Sequence, residues 1–361
     1  MMLLIFVLGL AALIAGAQVL VRGASKLALS FGISPLVVGL TVVAFGTSAP
    51  EFAVSLRSSF AGQVDIALGN VVGSNIFNVL FILGVSALIT PLVVAPQLIR
   101  QEVPIMIGAS LLVLALALDG EVGRLDGAVL FGLLLAYTVF LVRQSRRASR
   151  DTQAGYGEQT AAADTSDWDR HWSVQLLLIA GGLALLVVGA GWLVDAAVSF
   201  ARILGLSEVV IGLTIVAVGT SLPEVATSLV ATLRGERDIA VGNVIGSNTF
   251  NLLGVLGVSG LLAPVGLPVG AAMIAFDLPV MIAVALACLP IFFSGHLIAR
   301  WEGALFLAYY VAYTAWLLLA AQQHAATAAY GKVMISFVLP LTAVTLVVVA
   351  WREWRARHGA P

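Results

Sequence analysis

Residues 39–86 occur twice in this chain. The first copy reads GLTVVAFGTSAPEFAVSLRSSFAGQVDIALGNVVGSNIFNVLFILGVS, and residues 212–259 read GLTIVAVGTSLPEVATSLVATLRGERDIAVGNVIGSNTFNLLGVLGVS. The two align without a gap, and about 30 of the 48 positions are identical. Self-similarity of that length means a duplicated unit, with a period far longer than the roughly 20–50 residues of solenoid repeats. Whatever one copy folds into, the chain must hold two of them.

The surroundings decide where. The chain is 60% hydrophobic and only 10% charged, against about 25% charged residues in a soluble domain. Eleven apolar spans are predicted near 2–21, 36–57, 66–89, 98–118, 126–142, 173–199, 208–232, 239–262, 270–293, 301–320 and 332–351, most close to the ~20 residues that cross a bilayer. The opening MMLLIFVLGLAALIAGAQVLV has no positive n-region and is read as the first helix, not a leader. Residues 144–172 form the one long hydrophilic stretch, too short and too polar for a folded domain, and read as a linker. Residues 1–143 then hold five spans, 173–322 hold five matching ones, and 323–361 hold an extra span and a tail. Five is odd, so the second copy enters the membrane upside down. The expected fold is an all-α polytopic membrane protein of two inverted five-helix repeats plus one C-terminal span. Repeats so related place a binding site near the midplane between them.

Lys and Arg set the orientation. With the N-terminus outside, the inner segments hold about 14 of them and the outer ones only Arg57, Arg124, Arg202 and Lys332. The linker and C-terminus are therefore expected in the cytoplasm and the protein in the plasma membrane, the inner membrane of a bacterium. The formal net charge of −1 points to no acidic or basic partner, and no nucleic acid is expected. Cys288 is the single cysteine, and the four histidines form no metal-spacing pair.

Chemistry concentrates in the duplicated stretch. In GTSAPE, Pro50 deprives the carbonyl of Gly46 of its helical donor, and Pro223 does the same to Gly219. A freed carbonyl at membrane depth is tolerated where it lines a cavity or is re-satisfied. Thr47 and Ser48 share a helix face with Glu51, as Thr220 and Ser221 do with Glu224. In GSNIFN and GSNTFN, Ser74 pairs with Asn78 and Ser247 with Asn251 at the same spacing. Gly73 and Gly246 would admit a close backbone neighbour. Every donor atom is oxygen, which suits Ca²⁺ and Na⁺ and not the softer metals that recruit His or Cys. An ionised carboxylate mid-span costs at least about 2.5–3.5 kcal/mol, and no Lys or Arg lies mid-span to offset it. One divalent ion, several Na⁺, or protons would.

These paired motifs resemble the alpha repeats of the calcium/cation antiporter superfamily, in its sodium/calcium exchanger branch. The resemblance implies alternating access, with Na⁺ and Ca²⁺ sites between spans two, three, seven and eight. It makes Glu51 and Glu224 the central Ca²⁺ ligands. Thr47, Ser48, Ser74, Thr220, Ser221 and Ser247 would add oxygens, with the backbone carbonyls of Ala44 and Ala217, and Asn78 and Asn251 would complete the site. Some members carry Asp where this chain has Asn251, which argues against the potassium-dependent branch.

Structural readings stand beside these. Buried glutamates can be protonated, Ser and Thr can bond back to their own helix, and Asn can join helices. Asn70, Asn75, Asn243 and Asn248 are read as structural, and Asp65 and Asp238 as N-caps of spans three and eight. Glu102 and Asp277, each two residues before a proline, are read as caps or gates. The function expected is a secondary active antiporter exchanging Ca²⁺ for Na⁺, with both ions as substrates, no cofactor and no enzymatic activity. An H⁺/Ca²⁺ antiporter, or another divalent cation/cation antiporter, is the alternative. A passive channel and an intramembrane enzyme are remoter ones, since no nucleophile–histidine pair or HExxH lies in a span.

Overall fold

A computed structural model describes residues 2–155, 171–203 and 217–322, with Thr327, Gly331, Lys332 and Met334. Most of the eleventh span, most of the linker and the first part of span seven lie outside the described residues. The rest is mostly helical. Its elements are α1 (Met2–Phe31), α2 (Pro35–Thr47), α3 (Ala49–Phe60), α4 (Val64–Ile89), β1 (Leu92–Val93), α5 (Leu98–Ala117), β2 (Glu121–Val122), α6 (Arg124–Gly155), α7 (Trp172–Ile203), α8 (Ala217–Gly219), α9 (Leu222–Leu233), α10 (Arg237–Leu262), β3 (Leu267–Pro268), α11 (Met273–Phe293), β4 (Leu297–Ile298) and α12 (Arg300–Ala321). Among the described residues eight helices are long and apolar enough to cross a bilayer, and the bent pair α2–α3 makes a ninth. The chain is a multi-pass membrane protein.

Glycines set how its helices meet. A Cβ on Gly9 would lie 2.9 Å from the carbonyl oxygen of Gly189, one on Gly16 2.8 Å from that of Gly182, and one on Gly23 3.0 Å from that of Gln175. Residue numbers rise on α1 as they fall on α7, so the two helices run antiparallel with their backbones nearly touching. In lipid, where no hydrophobic force drives helices together, small residues supply this contact. α1 has 30 residues and α7 has 32. At 1.5 Å per residue each is about 45 Å long or more, beyond a hydrocarbon core of about 30 Å.

The other helices interlock across the halves. Gly84 of α4 lies against Gly303 of α12, and Gly257 of α10 against Gly127 of α6. Two short antiparallel ribbons bind the same halves: β1 pairs with β4 (Leu92↔Ile298) and β2 with β3 (Glu121↔Pro268). The main core gathers apolar side chains from α4, α5, α10 and α11, including Ile76, Leu83, Met106, Phe292 and Ile245. α10 is buried along its whole apolar window, so its polar residues face protein throughout.

Two boundaries differ from expectation. The first span continues past residue 21 to Phe31, and the fifth past residue 142 to Gly155. The segment RQSRRASR beyond residue 142 is polar, yet half of it is Arg, a good helix former that propagates a helix already nucleated in the membrane. Gly246 meets its expected neighbour, the Leu40 carbonyl oxygen, at 2.6 Å from a built Cβ. A Cβ on Gly73 would meet nothing within 4 Å among the described residues, and Leu213, which matches Leu40 in the second copy, lies outside them.

Candidate cation site

Both copies break their helix at the same place. α2 ends at Thr47, Ser48 adopts φ −79° and ψ 8°, and α3 restarts at Ala49 with a 45° bend. In the second copy α8 ends at Gly219, Ser221 adopts φ −87° and ψ 7°, and α9 restarts at Leu222. Pro50 and Pro223 sit in the first turn of the restarted helices, where a missing N–H costs nothing. Glu51 and Glu224 share that turn, at the positive end of the helix dipole. The carbonyls ending α2 and α8 face the opposite way along the chain, with the negative end of their dipole at the break.

The two carboxylates are held by the opposite copies. Ser221 Oγ donates to Glu51 Oε1 at 2.7 Å, and Ser48 Oγ donates to Glu224 Oε1 at 2.9 Å. Ser221 Oγ also lies 3.1 Å from Ser74 Oγ. Thr47 Oγ1 donates to Asn243 Oδ1 at 3.1 Å, and Thr220 Oγ1 to Asn70 Oδ1 at 3.2 Å. The amide nitrogens of Asn70 and Asn243 reach the backbone carbonyls of Glu51 and Glu224 and the hydroxyls of Ser55 and Ser228. Each asparagine therefore ties the restarted helix of its own copy to a threonine of the other. Helix back-bonding does not account for these hydroxyls. Among the described residues only Thr47 has such a contact, a long one of 3.4 Å to Ala44 O.

Glu51, Glu224, Thr47, Ser48, Ala44, Ser74, Asn78, Ser221, Ser247 and Asn251 are buried, and Thr220 is half-buried. Asn78 Nδ2 donates to Asn248 Oδ1 at 3.0 Å. Among the described residues, several buried polar atoms here have no hydrogen-bond partner: Glu51 Oε2, Glu224 Oε2, Ser247 Oγ, Asn78 Oδ1 and both polar atoms of Asn251. Hydrogen bonds thus join Ser48 directly to Glu224, and Ser221 directly to Glu51 and Ser74. Thr47 and Thr220 are joined to the glutamate backbones through Asn243 and Asn70, and Asn78 bonds to Asn248 apart from both groups. Ser247 and Asn251 enter no such bond. Ala217 opens α8, and only its backbone is described. Nearly all the free atoms are oxygens, two of them carboxylate. An unpaired oxygen at membrane depth costs several kcal/mol, and a hard cation is the partner of matching sign and ligand type. Among the described residues no group of three His, Cys, Asp or Glu could hold a metal.

Two readings are corrected. Asp65 and Asp238 do not cap their helices. Gln63 and Glu236 occupy the cap positions, and the aspartates lie in the first turn, where they face the helix dipole instead. Glu102 and Asp277 cap nothing either. Each ends a π-helical turn that runs on into α-helix. The buried Glu102 carboxylate accepts hydrogen bonds from Tyr137 at 2.6 Å, Gln97 at 2.9 Å and Gln101 at 2.6 Å. Asp277 accepts from Tyr313 at 3.0 Å. Asn70 and Asn243, read as structural, brace the site from behind. The signal for them was the recurrence of GN in both copies.

The paired breaks, reciprocal serine–glutamate bonds and free carboxylate oxygens can be set against known proteins. A family model described as sodium/calcium exchanger protein matches residues 1–143 and 174–319. The chain belongs to that family. It is 41% identical over 313 residues to CaxA of Alkalimonas amylolytica, covering 86% of this chain and 96% of that one. It is 34% identical over 339 residues to the sodium/calcium exchanger MaX1 of Methanosarcina acetivorans, covering 86% and 96%. Its fold matches that of the sodium-calcium exchanger NCX_Mj with a TM-score of 0.73 at 33% identity, over 86% of this chain and 96% of that one. Sodium/calcium exchangers are transporters, which removes the intramembrane-enzyme alternative.

Proposed function

We propose that this chain is a secondary active antiporter that exchanges Ca²⁺ for Na⁺ by alternating access. The observation that carries the reading is the crossed pair of bonds, Ser221 to Glu51 and Ser48 to Glu224. Each leaves the second carboxylate oxygen free. Two carboxylates balance one Ca²⁺. Several Na⁺ ions shared among the carboxylates, the hydroxyls, Asn78, Asn251 and the carbonyls of Ala44 and Ala217 would balance them in its place. Occupancy by one ion or the other is then exclusive, and a site emptied of both leaves two like charges in a low-dielectric interior. That penalty couples the two fluxes.

The two halves are proposed as inverted repeats, a reading supported by the antiparallel run of α1 against α7 and by the matching breaks. α1 and α7, joined along their glycine seam, are the pair proposed to slide. The remaining helices, interlocked across the halves and bound by the two ribbons, are the frame. The proposed orientation puts the N-terminus outside and the linker in the cytoplasm of the plasma membrane, as the distribution of Lys and Arg favours.

The test is radiolabelled Ca²⁺ uptake into proteoliposomes loaded with Na⁺, beside vesicles holding only a pH gradient. Uptake driven by outward Na⁺ and abolished in Glu51→Gln and Glu224→Gln is expected. Uptake driven by the pH gradient alone would replace Na⁺ with H⁺ as the coupling ion. Flux that follows the Ca²⁺ gradient without coupling would mean a channel.

A further inference from the structure

Met106 and Met281 occupy matching places, each four residues after a carboxylate and two after a proline on α5 and α11. Both are buried. Each sulfur faces an asparagine of the duplicated motif. Asn75 Nδ2 lies 3.6 Å from Met281 Sδ, and Asn248 Nδ2 lies 3.6 Å from Met106 Sδ. A thioether can only accept. The amide NH₂ must turn toward it, because the amide oxygen would set lone pairs against lone pairs.

The two asparagines differ in what else they touch. Asn248 Nδ2 also donates to the backbone carbonyl of Asn75 at 3.1 Å, and Asn248 Oδ1 accepts from Asn78. Its orientation is fixed with or without Met106. Asn75 Oδ1 has no partner among the described residues, although the residue is 2% exposed. Among those residues only Met281 decides which way that amide faces. Asn75 follows Ser74 and precedes Asn78 by three positions on α4. The Asn248 side chain spans from the Asn75 backbone carbonyl to the Asn78 side chain, which sets the Asn75 backbone beside the Asn78 amide.

We infer that Asn75 Oδ1 is a further cation-facing oxygen of the exchange site, and that Met281 is the positioning residue that turns it inward. The inference rests on the exchange reading above. It makes the site unequal in its two halves, since the matching oxygen of Asn248 is already engaged. Without the sulfur the Asn75 amide is free to flip. It would then present a donor where a cation needs an acceptor.

The test measures Na⁺-driven Ca²⁺ uptake in proteoliposomes for the wild type, Met281→Leu, Met106→Leu and Met281→Gln, each checked for a monodisperse size-exclusion profile. Met281→Leu keeps the volume and loses the acceptor. It should raise KM for Ca²⁺ about three- to tenfold, the factor one hydrogen bond supplies, with kcat within twofold. Met106→Leu, the internal control, should leave KM within twofold. Met281→Gln returns an acceptor oxygen and should restore KM. Equal shifts in Met281→Leu and Met106→Leu would reduce the effect to packing and overturn the inference. So would an unshifted Met281→Leu in an active protein that Glu51→Gln silences. Absence of coupled uptake in the wild type would overturn the exchange reading and this inference with it.

Discussion

Gly181 and Gly182 are neighbours on α7, and adding the same methyl group to each should have opposite effects. A Cβ on Gly182 would lie 2.6 Å from the Leu20 backbone nitrogen and 2.9 Å from the Gly16 carbonyl oxygen. The nearer contact falls about 0.8 Å short of the 3.4 Å at which ordinary contact begins. Both obstructing atoms are backbone, so no side chain can swing away. α1 and α7 must part along the seam. Overpacking of this kind costs about 1–3 kcal/mol. A Cβ on Gly181 meets nothing within 4 Å, and Gly→Ala in an open helical position gains up to about 1 kcal/mol. In a thermal melt followed by size-exclusion chromatography in detergent, Gly182→Ala should lower Tm by roughly 2–10 °C, at a few degrees per kcal/mol. Gly181→Ala should hold or raise it. Equal melts for the two variants would refute the claim that backbone contact, and not general helix packing, joins this pair.

The site and the frame give three more tests. Ser48→Ala and Ser221→Ala each remove a hydrogen bond to a buried carboxylate, worth about 1.5–3 kcal/mol. Each should raise KM for Ca²⁺ about tenfold to a hundredfold, and an effect confined to one of them would contradict the crossed arrangement. Tyr137→Phe takes the 2.6 Å donor from Glu102 and should destabilise by about 1.5–3 kcal/mol. Pairing it with Glu102→Gln should recover part of that in a double-mutant cycle, and strictly additive losses would show that the two act independently. Val93 and Leu297 face each other in the first ribbon, at a spacing that accepts a disulfide. Cross-linked as cysteines, they should leave exchange at the uncross-linked rate, because both belong to the frame. A loss on oxidation reversed by reductant would place a moving boundary there.

The duplicated motif made much of this legible. The breaks at Ser48 and Ser221 followed from proline chemistry, and the two carboxylates from the cost of charge in lipid. Partners were not legible. The sequence placed Ser221 on the helix face of Glu224, its neighbour three positions on, yet its hydroxyl serves Glu51, 170 residues away. Duplication hides this, because a crossed pair and an uncrossed pair have the same sequence. Asp65 was misplaced for a local reason. Helix ends are uncertain by a residue or two, and a shift of that size moves an aspartate from cap to first turn. Met281 gave no signal, since a methionine in an apolar run reads as core until its neighbour is known.

The crossed bonds also bear on how the chain is made. Glu51 waits for Ser221, Asn78 for Asn248 and Gly84 for Gly303, partners about 170 to 220 residues downstream in the sequence. At about 5–20 residues per second the first half spends some ten seconds or more in the bilayer with its carboxylate and amides unmet. Insertion must tolerate that interval, and assembly is late and all at once. Each half therefore depends on the other to finish its polar interior. Residues 1–143 expressed alone should be cleared by membrane proteases and rescued by co-expression of residues 173–322. Stable accumulation of the lone half would show that it completes itself.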